Sequence, residues 1–171
     1  MKVIGVACIG EKPDTVLVEK AKRFVRAVKC RCGSQMYLAL GGYWGLMKEV
    51  VDEAIACNIP VVLFPPLERE DEHFPEQAFI VKTGMSFRLR SQVFVRSVDV
   101  LVALGGEAGT IHEVVTAYLE KKPVLVLVET GLSTDKLYHF APYIDSRRNA
   151  EIKIETDPEA LAREACMLVS S

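Results

Sequence analysis

One segment that could do chemistry is LGGYWGLM at residues 40–47, which ends an apolar run. Its glycines, Gly41, Gly42 and Gly45, allow a sharp backbone turn and the close approach of a ligand. If a helix begins here, its free N–H groups and its dipole favour an anion such as a phosphate. The alternative is a tight turn before a helix, with no ligand. Trp44 either stacks on a base or is buried.

A second segment, ALGGEAGTIHE at residues 103–113, repeats this pattern with a threonine hydroxyl added. The backbone amides from Gly106 through Gly109 to Thr110 could form a concave anion site. Glu113 would place a carboxylate at the edge of that site, where it could act on a sugar carbon. The alternative is a capping box, T-x-x-E, in which Thr110 and Glu113 satisfy the donors of a helix start without any ligand.

A third segment, TGMSFRLRS at residues 83–91, carries two arginines near the start of a predicted helix. Arginines at this end of a helix oppose its dipole, and an anionic partner would remove that penalty. Arg88 and Arg90 are about 200° apart around a helix, so we expect only one of them to face the site. The alternative is a surface arginine paired with an acidic side chain.

Composition excludes several classes of function. The net charge is −2 and the pI is about 6.0, with no basic stripe, which argues against a nucleic-acid partner. The longest apolar runs are far shorter than the roughly 20 residues of a membrane span. No signal peptide precedes the first apolar run, so we expect a cytoplasmic protein with no membrane partner.

The five cysteines are scattered and odd in number, which is not the framework of a secreted disulfide protein. Cys30 and Cys32 form a C-x-C pair, but no second pair stands at the spacing of a zinc site. The three histidines form no ligand pattern either. We therefore expect no metal site.

Alternating strands and helices predict an α/β fold. Short apolar runs predict strands at residues 3–8, 36–40, 60–64, 78–81, 98–104 and 124–128. Helices are predicted after Asp14, where apolar positions from Val16 to Val28 follow helical spacing, and at 45–56, 87–97 and 109–120. A last helix runs to about residue 169 behind Asp157 as N-cap and Pro158.

This pattern is typical of a Rossmann-like, doubly wound, mainly parallel sheet with helices on both faces. No linker, repeat or low-complexity stretch interrupts residues 1–171, so we expect a single domain. Ligands of such sheets bind beyond the carboxyl ends of the strands, and both glycine segments lie there.

In this order the three segments resemble the LOG family, long labelled "lysine decarboxylase-like". The resemblance covers nearly the whole chain, from Val3 to the last helix. The family pattern is a Gly-Gly turn after the second strand, an arginine ahead of the fifth strand and then P-G-G-x-G-T-x-x-E. The matching residues are Gly41, Gly42, Gly45, Leu46, Met47, Arg90, Gly106, Gly109, Thr110 and Glu113.

Two positions depart from the family pattern. Gly105 stands in place of the proline, and Glu107 in place of the second glycine. The run at residues 83–85, followed by Arg90-Ser91 and by Gly105-Gly106-Glu107, is more similar to the branch that contains molybdenum-cofactor carrier proteins. In that branch asparagine is usual after the arginine, and here Ser91 stands in its place.

The resemblance implies hydrolysis of the N-glycosidic bond of a nucleoside 5′-monophosphate, which releases a free base and ribose 5-phosphate. The glycine turns would hold the phosphate, Glu113 would stabilise the oxocarbenium-like sugar or position the attacking water, and Arg90 would orient Glu113 and the substrate. No metal or organic cofactor is implied.

Lysine decarboxylation and a carrier function are the two alternatives to this hydrolysis. Lysine decarboxylation would require a Schiff-base lysine beside a pyridoxal phosphate site, and no such constellation is present. The alternative function is a non-catalytic carrier of the molybdenum cofactor or of another phosphorylated pterin or nucleotide, with Glu113 only a cap. By the same resemblance we expect a homo-oligomer, a dimer or a tetramer.

Overall fold

The computed structural model describes residues 2–32 and 36–170. Within these ranges the strands are β1 (Lys2–Ala7), β2 (Met36–Leu40), β3 (Val61–Leu63), β4 (Ala78–Ile80), β5 (Val100–Ala103), β6 (Val124–Leu127) and β7 (Ile152–Glu155). The α-helices are α1 (Thr15–Cys32), α2 (Gly45–Ala56), α3 (Phe87–Arg96), α4 (Ala108–Leu119) and α5 (Pro158–Ser170). Two 3₁₀ helices span Leu67–Arg69 and Ser133–Phe140.

The described strands form one all-parallel sheet in the order β4-β3-β2-β1-β5-β6-β7. The strand order reverses direction at β1, which pairs with β2 on one side and β5 on the other. The loops that leave the neighbouring strands β1 and β5 therefore diverge and leave a crevice between them at the carboxyl edge. The Rossmann-like fold predicted from the sequence is confirmed, and both glycine segments lie at this edge.

Burial explains why the central strands form. All four residues of β5 and of β6 are buried, and β1 is buried from Val3 to Ala7. Strands covered by helices on both faces need such continuous apolar runs. Two core clusters result, one on each face of the sheet, and Phe24 and Phe94 are among their fully buried side chains.

The capping residues fix where two helices begin. A side-chain oxygen of Asp14 accepts the N–H of Leu17 at 2.7 Å, and Asp157 accepts the N–H of Ala160 at 3.1 Å. These bonds satisfy donors that a helix start leaves free. The predicted helix starts at both aspartates are therefore confirmed.

The buried face of α1 differs by one position from the prediction. Val16 is 66% exposed, whereas Leu17 is almost completely buried. The predicted spacing was therefore wrong at Val16, because the phase of the helix is set by the cap at Asp14 and by its packing on the sheet.

Strand β7 was not predicted from the sequence. Its four residues alternate apolar and charged, and only Ile152 is buried. An edge strand with one covered side needs no continuous apolar run, which is why the pattern that identified the central strands does not detect it.

One disulfide joins Cys32, the last residue of α1, to Cys166 in α5, across 134 residues of sequence. The scattered spacing of the cysteines gave no sign of this pair, which exists because α1 and α5 lie side by side. Cys8, Cys30 and Cys57 are free. The described residues contain no cluster of three or more His, Cys, Asp or Glu side chains suited to a metal ion.

No helix within residues 2–32 and 36–170 combines the length and the apolar character that crossing a bilayer requires.

Candidate functional site

A cavity of about 540 Å³ lies at the carboxyl edge of the sheet, where the strand order reverses. Its volume is within the range of small-molecule sites. Five stretches contribute to its wall: the loop after β1, the start of α2, the 3₁₀ helix that ends at Arg69, the start of α3 and the start of α4. The lining residues are Cys8, Ile9, Gly10, Glu11, Trp44, Met47, Arg69, Phe87, Arg88, Arg90, Ser91, Glu107, Ala108, Gly109, Thr110, His112 and Glu113.

The structure brings Arg90 of α3 and Glu113 of α4 together on this wall. Arg90 Nη1 lies 3.2 Å from Glu113 Oε1, and the two side chains are only 6% and 12% exposed. Ser91 Oγ lies 2.8 Å from the same oxygen and can donate to it. Because both donors reach Oε1, neither occupies Oε2, and that oxygen can act on a ligand.

Burial shifts both members of this pair toward their neutral forms. It raises the pKa of Glu113, and the positive charge of Arg90 and the bond from Ser91 oppose the shift. It also lowers the pKa of Arg90, against the opposing charge of Glu113. An arginine stays protonated at ordinary pH. Arg90 therefore keeps its positive charge beside the Glu113 carboxyl group, whose pKa is raised.

Arg90 also carries an unsatisfied donor. Its Nε is buried, and no hydrogen-bond partner for it exists among the described residues. A buried donor without a partner costs stability, so packing alone does not explain why an arginine stands here. Cys8 lies on the same wall, where burial and the charge of Glu113 raise the pKa of its thiol and favour its protonated form.

The capping-box alternative for Thr110 and Glu113 is wrong. Helix α4 begins at Ala108, its N-cap is Glu107, and the Glu107 side chain makes no capping bond. Thr110 is therefore the third residue of the helix and Glu113 the sixth. The helix starts earlier than the T-x-x-E spacing requires, because β5 ends directly before this short connection.

The start of α4 opens onto the cavity. The first intrahelical bond at this end is the one that Ile111 N–H donates to the Glu107 carbonyl at 3.0 Å. The amides of Ala108, Gly109 and Thr110 therefore precede the helical ladder, and these three residues line the cavity. A Cβ added to Gly109 would meet nothing within 4 Å, so this backbone faces open space.

The first glycine segment is built differently. A Cβ at Gly41 would overlap Arg90 Nη1, and one at Gly42 would overlap the ring of Trp44. Gly45 has a φ of +54°, and its Cβ would meet the backbone of the loop after β1. One amide at the start of α2 is already satisfied within the chain, since Leu46 N–H donates to the Ile9 carbonyl at 3.0 Å.

The predicted phosphate-binding residues thus separate into two groups. Gly109 and Thr110 line the cavity. Gly41, Gly42, Gly45 and Gly106 do not; at Gly106 a Cβ would overlap the side chain of Thr110. Their contact with a ligand stays a prediction, and the structure gives them the role of making room for neighbouring groups.

One sequence expectation about orientation was wrong. Arg88 lines the cavity at an exposed position, so both arginines of α3 border it. His112 lines the cavity as well. Both results follow from the way that the first turns of α3 and α4 enclose the space, so residues on more than one side of each helix reach it.

Sequence reasoning missed two parts of the wall. Ile9, Gly10 and Glu11 follow β1, and the glycine after that apolar run was a signal that could have identified them. Arg69 lies in the acidic stretch at residues 68–72, which the sequence predicts to be a surface loop. Nothing in the local sequence indicates that Arg69 belongs to a site.

Comparison with known proteins identifies the family. A family model described as the SLOG cluster4 family matches residues 1–162. The chain belongs to the SLOG cluster4 family. This family is related to LOG, so the resemblance seen in the motifs is confirmed. No curated protein sequence matches the chain.

Solved structures share the fold along nearly the whole chain. The X-ray structure of TM1055, a structural genomics target, is 30% identical over 93% of this SLOG chain and 95% of its own, with a TM-score of 0.81. The molybdenum cofactor carrier protein of Chlamydomonas reinhardtii is 21% identical, covers 99% of both chains and has a TM-score of 0.80. The molybdenum cofactor binding protein of Rippkaea orientalis is 22% identical over 97% and 93%, with a TM-score of 0.74.

Proposed function

We propose that this SLOG protein binds a nucleoside 5′-monophosphate in the cavity and hydrolyses its N-glycosidic bond. The observation that carries the proposal is that a buried Arg90–Glu113 pair and the open start of α4 share one cavity. The first supplies a carboxylate for the sugar, and the second supplies amides for the phosphate.

The phosphate would lie at the amides of Ala108, Gly109 and Thr110. The dipole of a 12-residue helix favours an anion there, and Gly109 leaves the approach open. Arg88 adds positive charge from the opposite helix. Glu107 is exposed on the same wall, and we assign its carboxylate to the ribose hydroxyls or to solvent, because it would repel a phosphate.

The reaction needs only side chains and water. As the bond from C1′ to the base nitrogen breaks, positive charge develops on the sugar, and the Glu113 carboxylate stabilises it. Water attacks C1′, and its proton passes through Glu113 to the departing base. The products are the free base and ribose 5-phosphate. Arg90 holds Glu113 in position and favours its ionised form.

A carrier function is the second candidate. Two structural neighbours are named for binding or carrying the molybdenum cofactor, and Gly105 and Glu107 depart from the hydrolase pattern. A carrier would bind a phosphorylated pterin or nucleotide in the same cavity and would not hydrolyse it. The expected homo-oligomer stays a prediction for either function, which light scattering of the purified protein tests.

The deciding experiment is incubation of the protein with a panel of nucleoside 5′-monophosphates, followed by chromatographic detection of free base. We expect base release that falls at least about 100-fold in Glu113→Gln, because a developing cation loses its facing carboxylate. Glu120→Gln is the matched control, since Glu120 follows the end of α4 and pairs with exposed Arg96 outside the cavity.

Binding measured alongside separates the two functions. If no nucleotide is hydrolysed but a phosphorylated ligand binds tightly, the carrier function replaces the enzyme. If Glu113→Gln releases base as fast as the wild type, Glu113 is not catalytic.

A further inference from the structure

We propose that Trp44 is the stacking platform for the planar heterocycle of the ligand, a purine or a pterin ring. This inference rests on the proposed function, in that it assumes a phosphorylated ligand in the same cavity. Trp44 precedes α2 as its N-cap residue, is half-buried and lines the cavity.

Two loops are shaped around the indole. A Cβ at Gly10 would lie 2.6 Å from Trp44 Nε1, and one at Gly42 would overlap the six-membered ring. Neither position can carry a side chain without moving the indole. Phe87 meets the indole edge-on, with ring centroids 6.4 Å apart and an interplanar angle of 73°. The ring is therefore held in one orientation, which a stacking partner needs.

One face of this ring already carries a flat group. The guanidinium carbon of Arg69 lies 4.3 Å from the ring centroid. Arg69 ends a short 3₁₀ helix, its side chain is 38% exposed, and its Nε is 3.5 Å from exposed Glu72. A cation–π contact at such an exposed position is weak. A heterocycle can displace Arg69 from this face, because the long side chain can swing toward solvent.

The topology places the platform and the phosphate site beyond two different strands. Trp44 follows β2 and the start of α4 follows β5, and these strands flank β1 on opposite sides. In the sheet, β2 and β5 are two strand spacings apart, about 10 Å. A phosphate ion alone cannot bridge this distance, but a phosphate joined through a sugar or linker to a flat ring can. The cavity therefore suits a ligand with these two ends.

Trp44 is the only tryptophan of the chain, so its fluorescence reports on this position alone. The probes are adenosine 5′-monophosphate, neopterin monophosphate and ribose 5-phosphate, read within seconds of mixing. We expect the two ring-bearing probes to quench the fluorescence and to bind about tenfold more tightly than ribose 5-phosphate, the scale of base–aromatic stacking. Tighter binding of the pterin probe would identify a pterin ligand, and the reverse a nucleotide.

Variants test the platform by isothermal calorimetry. Trp44→Leu should lower the affinity for the ring-bearing probe about tenfold and leave ribose 5-phosphate unchanged, whereas Trp44→Phe should restore most of the preference. Arg69→Ala should keep the preference within about threefold, because the heterocycle replaces that contact.

The outcomes separate this inference from the proposed function. Equal affinity for ribose 5-phosphate and the ring-bearing probes, or an unchanged preference in Trp44→Leu, overturns the platform while phosphate binding stands. A tenfold loss in Arg69→Ala with no loss in Trp44→Leu also overturns it, by moving recognition to the arginine. If no probe binds, the proposed function itself fails.

Discussion

The two glycine segments look alike in sequence, but they do different work in the folded protein. Glycines of the segment after β2 make room for Arg90 and Trp44, and the Ile9 carbonyl accepts one amide of its helix start. The segment after β5 leaves its helix start open to the cavity, and Gly109 has nothing beside it. A glycine before a helix therefore indicates close approach without saying what approaches, a ligand or another part of the chain.

The sharpest test of this difference is the pair Gly45→Ala and Gly109→Ala. Gly45 is left-handed and its Cβ would meet backbone atoms of Gly10, so we expect a loss of about 2–5 kcal/mol in the free energy of unfolding. Gly109→Ala should be neutral or gain up to about 1 kcal/mol, since alanine favours a helix. Urea unfolding of both variants measures this, and equal losses would remove the distinction between the segments.

Gly41→Ala tests whether the first segment acts on the site through Arg90. The added methyl must displace the guanidinium, so we expect a stability loss of about 1–3 kcal/mol together with a loss of base release or ligand binding. Urea unfolding measures the stability loss, and base release or ligand binding by the same preparation measures the functional loss. Normal stability and normal activity would show that Arg90 has another place to lie.

Gly109→Val tests the open start of α4. Because a Cβ here meets nothing, the protein should fold, while the two methyl groups extend toward the cavity. We expect the affinity for a nucleoside monophosphate to fall about tenfold, or about 1.4 kcal/mol, by crowding of the anion site. Calorimetry against Gly109→Ala measures the change. An unchanged affinity would place the phosphate elsewhere.

The smallest expected effect is a pH dependence of the free energy of unfolding that comes from Glu113. Burial raises its pKa in the folded state, so the folded protein holds this proton at pH values where the unfolded chain has lost it. The stabilisation that this proton gives the folded protein is fully present below the ordinary glutamate pKa. It is lost as the pH rises through the raised pKa of the folded state. The wild type should thus lose stability relative to Glu113→Gln over this window. Urea unfolding from pH 4 to pH 8 tests it, and a constant difference would contradict the shift.

Several elements were predictable because their signals are local. Apolar runs identified β1 to β6, and Asp14 and Asp157 marked two helix starts. Where the local signal was weak or shared, prediction failed. Strand β7 alternates apolar and charged residues, and T-x-x-E fits a cap as well as it fits a carboxylate deeper in a helix.

The sequence by itself determined the family, the alternation of β1 to β6 with the helices and the edge of the sheet at which a ligand would bind. Those properties follow from residue spacing over short stretches. The tertiary structure decided which groups meet: Arg90 with Glu113, Arg69 with Trp44, and Cys32 with Cys166. Each of these contacts joins residues more than 20 positions apart, and only packing of the helices and loops on the sheet brings them together.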